Sequence, residues 1–186
     1  MNKNKYSSLF GQILQIFQKS KFYEAVEKTG ANKHAKGFDC WDQFVAMLFC
    51  QLGQAHSLRE ITGGLATCMG NLKHLGIDSA PSRSTLSYAN NHRPYQLYRE
   101  IFYFLLGICQ EEVRGKKKFR FKNKVYSLDA TLIELCASLF NWAKYRQTKG
   151  AIKLHLLLDH EGYLPVFANI MEGKVHEVKV AQGLTF

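Results

Sequence analysis

A chain of 186 residues, 46% of them apolar, has room for one or two folded domains and a sizeable core, which excludes a disordered tail or linker. Its 25 Lys and Arg against 15 Asp and Glu give a formal charge of +10, so the field around it attracts polyanions. The surplus divides evenly, with 12 basic and 7 acidic residues up to Gln110 and 13 and 8 beyond it, which excludes a basic tail on a neutral domain.

The five cysteines, at 40, 50, 68, 109 and 136, are odd in number, widely spaced and never in a C-x-x-C pair. Neither a disulfide framework nor a zinc site is signalled, and buried reduced thiols are the expectation. The basic N-terminus is not followed by a secretory apolar segment, since Gln and Lys interrupt Ser7 to Ser20. The longest apolar run, Ile101 to Cys109, falls far short of the ~20 residues of a membrane span. A soluble, cytoplasmic, nucleoid-associated protein without membrane contact is expected.

In chain order, Leu9, Phe10, Ile13, Leu14, Ile16 and Phe17 recur at helical spacing, and Phe22, Tyr23 and Val26 continue the pattern after Lys19-Ser20-Lys21. Two short amphipathic helices are predicted, then a polar loop from Gly30 to Phe38. A more buried helix opens at Asp39 or Cys40, runs through Trp41, Phe44, Val45, Leu48, Phe49 and Leu52, and stops at Gly53. Ser57-Leu-Arg-Glu60 has the S-x-x-E form of a capping box, opening a helix through Leu58, Ile61 and Leu65 that Gly63-Gly64 weakens.

A loop, Gly76 to Pro81, leads to a short polar helix, Ser82 to Arg93, supplied with Arg83, Ser84, Ser87, Asn90, Asn91 and Arg93. Such a segment either reads DNA as the second helix of a helix-turn-helix, through Arg83 and Arg93 among others, or is a solvated connector; the turn is longer than that motif's usual one. Tyr95 to Val113 is a long apolar helix with Leu97, Tyr98, Ile101, Phe102, Leu105 and Ile108 inward.

Arg114 to Lys124 holds seven basic residues in eleven, with Phe119 and Phe121 between them. This is the sharpest composition shift in the chain, and it divides a helical domain, 1–113, a candidate for DNA binding, from a second domain, 114–186. Lys116, Lys117, Lys118, Arg120 and Lys122 form either a solvated face or a phosphate-binding edge strand whose affinity would fall steeply with salt. Beyond it, Val125-Tyr-Ser-Leu-Asp129 reads as a strand ending in a carboxylate. Ala151 to Leu158 and Tyr163 to Met171 read as a β-hairpin around Asp159-His-Glu-Gly162. No Gly-rich phosphate loop, G-x-S-x-G or H-x-x-H is present. By itself Asp129 is as well explained by a turn or helix cap as by chemistry.

The surrounding text sharpens that reading: Tyr126-Ser-Leu-Asp-Ala-Thr-Leu-Ile-Glu-Leu-Cys136, Phe140-Asn-Trp-Ala-Lys-Tyr-Arg146, Lys149-Gly-Ala-Ile-Lys-Leu-His155, Asp159-His-Glu-Gly-Tyr-Leu-Pro165 and Glu172-Gly-Lys-Val-His176. Together these resemble the start of the catalytic domain of DDE transposases of the insertion-sequence-four type. Phe38-Asp-Cys-Trp-Asp-Gln-Phe44 and Ser57-Leu-Arg-Glu-Ile61 resemble the helical domain that precedes it in that group. The resemblance implies an α+β chain, in which a helical domain is followed by the first three strands of an incomplete ribonuclease-H-like α/β domain. It implies DNA cleavage and strand transfer at the ends of an insertion sequence, with double-stranded DNA as partner. Asp129 would be the first of three catalytic carboxylates holding Mg²⁺ or Mn²⁺. Lys144, Arg146, Lys149 and Lys153 would line the DNA approach, and His155 and His176 would be structural or positioning.

The second Asp and the Glu of that pattern have no match before Phe186. Asp159 is not expected to replace them, because a strand ending at Asp129 would put the Asp159 turn at the opposite end of the sheet, ~17–20 Å away. A truncated, catalytically inert chain with self-associating strand edges is therefore expected. The alternatives are a DNA-binding repressor product and a ribonuclease-H-like nuclease of another kind.

Overall fold

The computed structural model describes residues 8–33, 35–68, 72–113, 123–135, 144–146 and 149–174, together with 178 and 182; side chains are described for these except 134, 135, 144–146, 149 and 150. The chain is α+β, and among the described residues six helices precede an antiparallel sheet. It divides into two compact units, Met1–Phe104 and Leu105–Phe186, with the break inside the helix Gln96–Val113.

The first unit contains α1 (Leu9–Ile16), α2 (Lys19–Thr29), α3 (Cys40–Leu52), α4 (Leu58–Thr67), a 3₁₀ turn (Leu72–Leu75), α5 (Arg83–His92) and the start of α6 (Gln96–Val113). Side chains set the helix starts. Ser8 Oγ accepts from Gly11 N at 3.1 Å, Asp39 and Asp42 close a reciprocal capping box, and Ser82 Oγ accepts from Thr85 N at 3.1 Å. At α4 the serine half of the predicted box is present, with Glu60 N donating to Ser57 Oγ at 3.2 Å. The glutamate reaches one residue further back, accepting from His56 N at 2.9 Å, and this bond, with Ser57 Oγ donating to Glu60 Oε1 at 3.1 Å, holds its carboxyl below the usual range.

Two groups of buried side chains stand out among the described residues of this unit. Phe22 stands edge-on to Trp41 with centroids 5.1 Å apart and lies 5.2 Å from Phe44, while Trp41 Nε1 donates to the Leu75 carbonyl at 3.1 Å. Ala46, Ile61, Leu65 and Leu86 form the second, joining α3, α4 and α5. Each fully buried leucine there is worth about 1.5–3 kcal/mol. α4 runs unbroken through Gly63-Gly64, and Gly64 has a packing reason: a Cβ there would lie 2.8 Å from the Phe49 ring. On α6, Leu97 and Ile101 are buried as expected, but Phe102 is 37% exposed, so the inward stripe excludes it.

The second unit holds the end of α6 and four strands, β1 (Tyr126–Leu135), β2 (Lys144–Arg146), β3 (Lys149–Asp159) and β4 (Leu164–Glu172). β3 is central, antiparallel to β1 on one side and pairing with β4 and β2. Three strands were expected; the additional β2 lies in the excursion between β1 and β3 and hairpins onto the start of β3. The last turns of α6 lie against the β3–β4 turn and the start of β4, with Gln110 Nε2 donating to the Pro165 carbonyl at 3.4 Å and Val113 against Gly162. The basic run 114–122, with Lys116, Lys117, Lys118, Arg120 and Lys122, lies outside the described residues. Among the described residues no helix is long and apolar enough to cross a membrane.

Candidate functional site

β1 does not end at Asp129. Ala130-Thr-Leu-Ile-Glu-Leu135 is rich in β-branched and apolar residues and finds continuous partners on β3, so Asp129 is the fourth residue of a ten-residue strand. It pairs with Leu156, and alternation sets Ser127, Asp129, Thr131 and Ile133 on one face with Ile152, Leu154, Leu156 and Leu158 across from them. The opposite face, carrying Ala151, His155 and Leu157, is the buried one. Asp129 is thus an exposed carboxylate on the less covered, largely aliphatic side of the sheet.

The register also corrects the relation of Asp129 to Asp159. Asp159 pairs with Tyr126, three positions from Asp129, so the two are ~10 Å apart along the strands rather than at opposite ends. Three is an odd step, which puts them on opposite faces. Asp159 still works as a turn residue: its Oδ1 accepts from Glu161 N at 2.8 Å, and Lys124 Nζ lies 3.8 Å from both Asp159 and Glu161. Two residues before Asp129, Ser127 Oγ meets His160 Nε2 at 2.6 Å, tying β1 to the β3–β4 turn. Nothing in sequence spacing marked that pair.

Among the described residues no three His, Cys, Asp or Glu side chains converge in a way that would hold a metal ion. One exposed carboxylate among aliphatic side chains does not fit a pair of divalent cations, which need several oxygen ligands each.

The basic residues expected around Asp129 are dispersed. Gly150, at the β2–β3 hairpin end with Lys144, Arg146 and Lys149, stands six positions from Leu156, roughly 20 Å from Asp129 along the sheet. Lys153 pairs with Leu132 and Met171, on the face opposite Asp129. His155 is fully buried beside Ala130 and Asn169, a core position, and His176 lies outside the described residues.

In the helical unit Arg83 and Arg93, at the two ends of α5, separate. Arg83 is exposed in the first turn. Arg93 turns inward: one nitrogen donates to the Asp39 carbonyl at 2.6 Å and to Gln43 Oε1 at 3.1 Å, the other to the Phe38 carbonyl, and the group lies over the Phe38 ring. Buried Gln43 continues the link to Asn90 Oδ1 at 2.6 Å. Arg93 and Asn90 therefore brace α5 against the start of α3. Tyr88, which sequence reading passed over, is 65% exposed and stacks on His92 at 3.8 Å.

Residues 5–78, which span α1 to the 3₁₀ turn, match a family described as a domain of unknown function (DUF4372). The chain is also 24% identical, over 102 residues, to a probable transposase for insertion sequence element IS5377 from Geobacillus stearothermophilus. That match covers 55% of this chain and 26% of the relative, so the chain spans about a quarter of the length of the curated protein it matches. No solved structure matches. The chain is similar to part of an insertion-sequence transposase.

Proposed function

We propose that this chain is the front portion of a DDE transposase of the insertion-sequence-four type, acting on the DNA ends of its element. The observation that carries the reading is the likeness to the IS5377 transposase, joined to an exposed carboxylate at Asp129 inside the motif that resembles the first catalytic position. The helical unit and the basic run grip duplex DNA. The sheet is the beginning of a ribonuclease-H-like domain in which Asp129 stands at the first of the three carboxylate positions.

A second reading, a DNA-binding repressor without catalysis, is favoured by the absence of a converging carboxylate set among the described residues. Two experiments separate them. The 186-residue chain, titrated against a duplex carrying the element's terminal repeats, is expected to bind with an affinity that falls steeply as salt rises, and not to cut. This chain joined to the remaining part of a DDE catalytic domain is expected to cut that duplex with Mn²⁺ and to lose cutting in Asp129→Ala. Absence of binding to any duplex overturns both readings, and undiminished cutting by Asp129→Ala removes Asp129 from the chemistry.

A further inference from the structure

The outward face of α5 has an unusual make-up for a surface helix. At 100° per residue, the buried Leu86 and Ala89 define its inner side, and Ser84, Ser87, Tyr88 and Asn91 stand opposite them. Glu and Lys, which favour helix and water alike, are absent from that face. Ser, Tyr and Asn all rank well below them in helix propensity, so the face forgoes stability for hydrogen-bonding capacity. α5 holds its place despite this because its Ser82 cap closes one end and the Arg93–Gln43–Asn90 brace secures the other.

Charge and size point to the occupant. From Ser79 to Arg99 the chain has no acidic residue, and Arg83 and Arg99 are exposed there while Arg93 is engaged with α3. Ten helical residues extend ~15 Å, and the major groove of B-DNA is about 12 Å wide. The side chains available suit base edges: an asparagine for the paired donor and acceptor of adenine, and serine hydroxyls that give or accept. Ser84 Oγ already contacts Ser82 Oγ at 2.9 Å and Tyr88 is stacked on His92, so part of the face is ordered in advance.

We propose that Ser84, Ser87, Tyr88 and Asn91 of α5 enter the major groove of duplex DNA and set its sequence preference, with Arg83 on a flanking phosphate and Arg93 as the positioning residue. This deepens the DNA-binding reading above and rests on it. Alanine has the higher helix propensity, so removing exposed serine and asparagine from α5 leaves the helix folded and isolates the loss of their base contacts.

The test uses the full chain. Duplexes of random sequence are selected on it, and the enriched and unselected duplexes are then titrated by fluorescence anisotropy at one salt concentration. Ser84→Ala combined with Asn91→Ala is expected to weaken the enriched duplex by roughly tenfold per side chain, to leave the unselected duplex unchanged, and to raise the melting temperature. Enrichment with undiminished binding by the variant overturns the role of α5, as does salt-sensitive binding with no enrichment or a preference for single strands. Both of the first two leave the DNA-binding reading standing, whereas no binding to any duplex removes both. A variant with a lowered melting temperature is a packing change and also counts against the proposal.

Discussion

Adjacent glycines in the middle of α4 give a sharp test of how the helical unit is packed. A Cβ added at Gly63 meets nothing within 4 Å, so Gly63→Ala gains helix propensity alone, about 0.5–1 kcal/mol. At Gly64 the same atom would sit 2.8 Å from Cε1 and Cζ of Phe49, well inside the ~3.5–4.0 Å of a carbon–carbon contact. The Phe49 ring is itself held: it packs against the Ala46, Ile61, Leu65 and Leu86 cluster and meets Phe10 edge-on at 6.0 Å. Overpacking of this kind costs typically 1–3 kcal/mol, so Gly64→Ala should be neutral to about 2 kcal/mol destabilising after its propensity gain. For a unit of this size each kcal/mol moves the melting temperature by about 4–8 °C. Thermal and urea unfolding followed by circular dichroism at 222 nm should therefore show the two alanine variants moving apart. A Phe49→Leu background should shrink the Gly64→Ala penalty, since the two sites share one contact. Equal stabilisation by both alanines would refute the α3–α4 packing.

Arg93→Ala leaves the Phe38 and Asp39 carbonyls and Gln43 without their charged donor and should cost about 1–3 kcal/mol in urea unfolding; unchanged stability with weakened DNA binding would instead restore Arg93 as a phosphate contact. Burial pushes the Cys40 thiol up to about 11 and shields it from reagent; iodoacetamide should label exposed Cys109 in the native protein and Cys40 only after unfolding, and rapid native labelling of Cys40 would contradict its burial. The Tyr98 hydroxyl is buried with no hydrogen-bond partner among the described residues, and its pKa is raised chiefly by desolvation, so Tyr98→Phe should be neutral or stabilising by up to about 1 kcal/mol, while a clear loss would reveal a partner for that hydroxyl.

The helices were legible because their signals are local. Ser57 and Glu60 opened α4, Gly53 closed α3, and Ser82 and the proline after Arg93 bracketed α5, each within a residue or two of the observed ends. What local pattern does not carry is direction around the helix. Arg83 and Arg93 look alike in the sequence, yet one is exposed and the other feeds three acceptors on α3 and the loop before it. The same limit hid the close approach at Gly64, where the cause is a ring fifteen residues away on another helix.

The sheet shows the limit most clearly, because register is a non-local property. Ending β1 at Asp129 followed from the polar residue itself, but a lone carboxylate does not stop a strand whose next residues remain β-prone and whose partner is long enough. The ladder is unbroken from Tyr126↔Asp159 to Leu135↔Gly150, and the one irregularity of β3 near its turn, at Leu157/Leu158, lies on the β4 side. A slip of one residue in the β1 ladder would turn Asp129 onto the buried face beside His155 and bring Leu128 and Ala130 outward. Ten consecutive pairs and the Ser127–His160 bond oppose that slip, so the carboxylate is held on the exposed side by the whole length of β1 and not by its own surroundings.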